Sequence, residues 1–435
     1  QRFELQRFEL GWFELGFERR RHHHVHHHHQ VQQQRRQGVP SRHEVRLSSI
    51  LARVHLTFEG LTVPADIDCP PELFVALASF GVPAEEAAEP GPASIIVKSR
   101  AGKFHLSGPA YLSPFSVEGL DAVAGSIMAG LAACKSLAVA PNMLCIHGAC
   151  ASMNGNSYLF LAPFGGGKSS LVAELAALGA DILADDVVLV DTQALTIAGL
   201  RIPMRLRQGF VKSAGPAMRD WIDARSIMRG KRYAYLTTEA LTAGARPLTD
   251  IVLLNRAPDT TEALPLLEPA SHGTLIPRIL WHNMSRHHAP SAIAGMAARL
   301  AESLRGSILH FADAGQAARL LLRGEMSAAS AAPRSLPESS QRDDLHITRT
   351  DRGAIIADDE TGRVFEINES AHVMLTVLQK FDDDETAWDM LCAIYPDAPR
   401  RELAKQLALC LRQFAEAGLI DISRAQSFRI NSESP

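Results

Sequence analysis

The segment Pro163 to Ser170, PFGGGKSS, puts three glycines, a lysine and two serines side by side, a set suited to gripping phosphate. Gly165, Gly166 and Gly167 leave backbone amides free to converge on anionic oxygens that side chains would obstruct. Lys168 offers a point charge within reach of β and γ phosphates, and Ser169 a hydroxyl able to ligate magnesium. Pro163, Phe164, Gly165, Gly166, Gly167, Lys168, Ser169 and Ser170 are therefore expected to bind a nucleotide, with ATP and Mg2+ as cofactors. Ala162 stands where the usual pattern opens with glycine, and alanine restricts the backbone there.

A second set follows in ILADDVVLVD, where Asp185 and Asp186 lie 17 and 18 residues after Lys168. Read as one apolar strand, the run turns its adjacent carboxylates to opposite faces, one toward the phosphates to take a proton or hold metal. Two like charges side by side also favour a cation. His147, in LCIHG, lies 21 residues before Lys168 on the strand that precedes the loop strand. Between Arg201 and Asp250 the chain carries ten Lys or Arg against four Asp or Glu. That local positive charge suits phosphate or an acidic substrate, with Arg205, Lys231 and Arg232 as candidates, while solvated arginines in structural pairs would look the same.

These residues need a scaffold that ends a strand in the loop and begins a helix after it. SYLFL before the loop is a β-run, and SSLVAELAAL after it sets Leu171, Val172, Leu175 and Leu178 on one helical stripe. Around this core the 435 residues exceed one hydrophobic core and divide by composition. Residues 1–44 form a low-complexity tail with a tandem QRFEL and a histidine run, which is set aside from the fold. An α/β lead-in is expected over 45–140, the phosphate-loop domain over 141–324, an Ala-, Ser- and Pro-rich linker over 325–343, a compact unit over 344–423, and a short tail over 424–435. Hydrophobic residues at 46% and charged residues at 21% fit a soluble globular protein, and a net charge of −4 offers no global field for nucleic acid or an anionic membrane. Six cysteines in no CxxC pair fit reduced thiols and a cytoplasmic setting. The apolar run from Gly119 to Ala140 is broken by Asp121 and Lys135 and reads as a core helix, so no membrane partner is expected.

The pattern His147-Gly, glycine loop with Lys168 and Ser169, then ADD, resembles the catalytic core of the HPr kinase/phosphorylase family over roughly Cys145 to Asp191. That resemblance implies an α/β P-loop kinase core of the HPr kinase and PEP carboxykinase kind. It assigns Asp185 as general base assisted by His147, Lys168 as the phosphate lysine and Ser169 as a magnesium ligand; the other member of the carboxylate pair, Asp186, is expected on metal with Ser169. The family's downstream magnesium glutamate has no counterpart, since Ile197 to Gly230 contains no glutamate, and Asp220 or Asp223 is the candidate substitute. The segment 344–423 reads as three short strands and three helices, a winged-helix-like α+β plan with Asn368 capping the first helix. Its FEIN, ESAHVMLTVL and closing GLI resemble PqqD, a peptide-binding domain of ribosomal-peptide modification systems, and imply capture of a precursor leader peptide by edge-strand addition. With 16 acidic and 8 basic side chains from Asp344 to Ser423, this unit would repel a nucleic-acid backbone.

The combined expectation is an ATP-dependent kinase that phosphorylates a serine or other hydroxyl on a peptide held by its PqqD-like domain, as in lasso-peptide maturation, with a homo-oligomer left open. A nucleotide-binding, non-catalytic peptide chaperone is the alternative, and a nucleotide-regulated DNA-binding repressor a third.

Overall fold

The computed structural model describes residues 13–14, 50–86, 92–237, 241–257, 264–285, 287–324, 340–342, 345–381 and 383–428. Within them the chain is a mixed α/β protein whose strands form five sheets. The tail 1–44 and linker 325–343 lie outside the described residues except for Phe13–Glu14 and Ser340–Arg342, as do 429–435; the expected C-terminal tail otherwise begins within a short helix, Ile422–Ser427.

The lead-in region forms a six-stranded sheet built on the hairpin Ile50–Phe58 and Leu61–Cys69, whose alternating side chains bury Leu56, Val63, Ala65 and Ile67. Helix Leu120–Leu137 packs on this unit through Val123, Ala124, Ile127, Met128 and Leu131. By length and composition it could cross a membrane. Its apolar stripe is instead spent on a protein core, which is the outcome expected for the run around Asp121 and Lys135.

The central region holds three sheets: a small one of Arg205–Arg207, Tyr233–Leu236 and Ser226–Arg229, and two larger ones that share a boundary. In the first of the larger two, the strands Asn156–Leu161, Asp250–Arg256 and Arg305–Phe311 run parallel, so their C-terminal ends emerge at one edge. The second contains Met143–His147, Val187–Asp191 and Thr196–Gly199, paired antiparallel. The run ILADDVVLVD is not the single strand expected from its hydropathy. Asp181–Ala184 belongs to the first sheet and Val187–Asp191 to the second, with Asp185 and Asp186 at the bend between them. Both halves are apolar because both are buried, and periodicity alone does not reveal a strand that changes sheets. Gly199 lies where the sheets approach, and any Cβ there would collide with the Leu183 carbonyl.

The C-terminal unit has strands Leu345–Thr350, Gly353–Asp358 and Arg363–Asn368, then helices Glu369–Lys380, Asp384–Ile394 and Arg400–Glu416, in the order expected. Asn368 caps the first helix by accepting the Ala371 amide at 2.8 Å, and Asp383 caps the second through Thr386. Leu375, Leu378, Leu407 and Phe414 form its core against Ile356 and Phe365. The other sheet face is not solvated: Ile355, Ala357 and Val364 share a core with Ile293, Ala294 and Ala297 of the central region. Two turn carboxylates lock this contact. Asp351 accepts the Gly273 amide at 2.6 Å at the start of helix His272–His282, and Asp359 accepts the Ser291 amide at 2.8 Å at the start of helix Pro290–Ser303. Each carboxylate satisfies an amide that its helix leaves unpaired and meets the positive end of the helix dipole.

Candidate functional site

Strand Asn156–Leu161 ends in the glycine loop, and helix Lys168–Ala177 starts directly after it. Gly165 and Gly167 adopt φ of 83° and 90°, a region that L side chains rarely enter. Ala162 is not at positive φ, so alanine meets no backbone strain in place of glycine. Its carbonyl accepts a hydrogen bond from Lys168 Nζ at 2.8 Å, which folds the lysine back over the loop. Burial pulls the Lys168 pKa down, opposed by Asp186 and Asp185.

Pro163 through Ser170 line an open cleft of about 440 Å³ together with His147, Asp185, Asp186 and Arg205. The two aspartates have different surroundings. Asp185 is 4% exposed, accepts the Arg205 amide at 3.1 Å and hydrogen-bonds the Ser169 hydroxyl. Burial, reinforced by Asp186, raises its pKa to about 6, and its Oδ1 has no hydrogen-bond partner. Asp186 lies 3.3 Å from His147 Nδ1 and 3.7 Å from Arg205 Nη2. Burial works against its ionisation, but His147, Arg205 and Lys168 outweigh that and hold it at about 2. The sequence reading placed His147 with Asp185 and metal with Asp186; the bend between the sheets sets His147 beside Asp186 and Ser169 beside Asp185.

Behind His147, with ring centres 6.0 Å apart, sits His282 at the end of helix His272–His282. Burial, then the nearby charges of Lys168, His147 and Arg278, push its pKa down to about 3, so it stays neutral across ordinary pH.

Of the three basic candidates, Arg205 reaches the cleft, while Lys231 and Arg232 do not line it and are exposed. Asp220 and Asp223 also lie away from it, and Asp223 pairs with Arg229. Sequence reading missed Arg207, Tyr233 and Arg256. Arg207 was within reach, because it is two residues from Arg205 on strand Arg205–Arg207 and so shares its face. It stacks on the exposed Phe164 ring at 4.5 Å. Arg256 ends a parallel strand beside the loop strand, and only the pairing of the two strands brings it there. This crevice at the C-terminal ends of parallel strands is where open α/β sheets bind ligands.

No cluster of three or more His, Cys, Asp or Glu side chains able to hold a metal occurs among the described residues. All six cysteines are unpaired. Residues 353–420 match the family model PqqD, coenzyme PQQ synthesis protein D. The C-terminal unit is a PqqD-like domain. The match covers its second and third strands and all three of the longer helices. No curated protein is significantly similar to the chain.

Proposed function

We propose that the chain is an ATP-dependent kinase that phosphorylates a hydroxyl on a peptide captured by its PqqD-like domain during maturation of a ribosomally made precursor, in the cytoplasm. The observation that carries this reading is the convergence of Lys168, Ser169, Asp185, Asp186 and His147 on one cleft around a glycine loop. A phosphate-binding turn alone needs neither a carboxylate pair nor an imidazole.

Amides of the loop and the N-terminus of helix Lys168–Ala177 would hold the β and γ phosphates, with Lys168, Arg207 and Arg256 neutralising charge. Asp185 and Ser169 fit a magnesium ion, since a buried carboxylate oxygen without a partner beside a hydroxyl is a hard-oxygen donor pair. Magnesium bound there would offset charge on the nucleotide phosphates. His147 would take the proton from the acceptor hydroxyl at Nε2 while Asp186 orients the ring and stabilises the imidazolium, because a carboxylate held near 2 is a weak base. The acceptor oxygen forms its bond to the γ phosphorus as the bond to ADP breaks. The PqqD-like domain would bind the leader segment as an added strand at the sheet edge and raise the effective concentration of the attached hydroxyl.

A non-catalytic, nucleotide-gated chaperone is favoured by one feature, the lack of a glutamate between Ile197 and Gly230. Incubating the chain with γ-labelled magnesium ATP and a leader-bearing precursor separates the two. Label on the peptide supports the kinase; nucleotide binding without transfer supports the chaperone.

A further inference from the structure

A second cavity, of about 100 Å³, shares three polar lining groups with the cleft, His147, Asp186 and Arg205. Its remaining walls are apolar and come from two regions. Phe80, Met128 and Ala132 belong to the N-terminal unit, and Ile202, Tyr235 and Met284 to the central one. The junction is tight: Phe80 stacks on Tyr235 at 5.1 Å, and a Cβ on Gly125 would lie 2.6 Å from the Tyr235 hydroxyl. Tyr235 is fixed further by donating to the Asp121 carbonyl at 3.0 Å.

The shared polar rim fixes what the cavity can accept. A hydroxyl that meets His147 from the phosphate side places its neighbouring group against these apolar walls. We propose that this cavity is the acceptor-side specificity socket, and that it holds a branched aliphatic side chain, valine or leucine in size, adjacent to the phosphorylated hydroxyl. A cavity of about 150 Å³ accepts benzene, so one of about 100 Å³ suits an aliphatic side chain and excludes indole. With Arg205 and His147 already paired to Asp186 at the rim, an acidic neighbour would have to leave water for apolar walls, which disfavours it. This assignment also gives the N-terminal unit a task, since helix Leu120–Leu137 supplies one wall of the socket. The inference rests on the kinase reading for the identity of the reacting group, while the socket's preference is measurable without transfer.

The test uses the full chain with magnesium and a non-hydrolysable ATP analogue, methionine methyls labelled with ¹³C, and two blocked tetrapeptides, Ala-Leu-Ser-Ala and Ala-Asp-Ser-Ala. Met128→Leu and Met284→Leu assign the two reporter signals. The leucine peptide is expected to move both signals, and the aspartate peptide to bind at least about 10-fold more weakly. Ala129→Leu, on the exposed part of the same wall, is expected to abolish the leucine-peptide shift while nucleotide binding is retained. Unmoved methyls, or equal binding of the two peptides, overturn the socket. Transfer from ATP to each peptide is followed in parallel: shifts without transfer retain the socket and remove the kinase, and equal transfer to both without shifts does the reverse.

Discussion

The PqqD-like unit and the glycine-loop cleft are built in opposite ways. The unit folds consecutive segments onto one another, with hairpin strands 345–350, 353–358 and 363–368 followed by capped helices around their own core. The cleft draws His147, the loop, Asp185 and Asp186, Arg205 and Arg207, Tyr233 and Arg256 from separate stretches on three different sheets. Local construction gives the unit a core of its own, with one sheet face docked on the central helices. Long-range construction makes the cleft dependent on where one chain segment passes from sheet to sheet, at Asp185 and Asp186.

The contrast breaks most readily at Lys168. Lys168→Met is expected to lower transfer by about 10²- to 10³-fold, as for loss of one charge-stabilising donor, with leader-peptide binding to the C-terminal unit unchanged in a titration. Transfer within a few-fold of wild type would remove the lysine from the phosphates. Next, the adjacent aspartates should separate. Asp186→Asn is expected to cost about 10²-fold in kcat through the proton transfer, whereas Asp185→Asn should raise the magnesium concentration needed for half-maximal rate. Identical magnesium dependence in the two variants would dissolve that division. The part of the C-terminal unit is sharpened by competition: excess free leader peptide should raise KM for the whole precursor by about 10-fold or more and leave the rate on a short core peptide unchanged.

Two smaller effects concern stability. Asp185 has its folded-state pKa raised, so the folded chain keeps a proton that the unfolded chain loses near pH 4. Its penalty is absent below that pH, grows as pH rises toward about 6, and is complete above. Asp185→Asn should therefore stabilise the nucleotide-free protein at pH 7.5 by on the order of 1–3 kcal/mol and do little at pH 3.5, as read by thermal unfolding. Asp359→Ala removes the carboxylate that meets Ser291 and is expected to cost about 0.5–2 kcal/mol, seen as loosened hydrogen exchange at the start of helix Pro290–Ser303.

The same division explains what the sequence made legible. Order and type of the C-terminal elements could be read because Asn368 caps the next residues and GAIIAD and RVFEIN are short β-runs joined by the turn at Asp359 to Gly362. The glycine loop was legible too, since strand, turn and helix are contiguous. The change of sheet at Asp185 was not, because Ile182, Leu183, Val187 and Val188 are buried in either sheet and carry the same apolar signal. Arg256 and His282 were also invisible, being placed by parallel pairing and by a helix end far along the chain. The docking of the PqqD-like sheet on the helices at Gly273 and Ser291 had no local signature, because Asp351 and Asp359 look like ordinary turn residues.

The central claim is transfer of phosphate to a captured peptide, and it is tested most directly by following the γ phosphate of labelled magnesium ATP into a leader-bearing precursor with wild type and Asp186→Asn in parallel. The account predicts label in a phosphate ester on the peptide with wild type, reduced about 10²-fold by the substitution. ATP bound by wild type with no label on the peptide would contradict it.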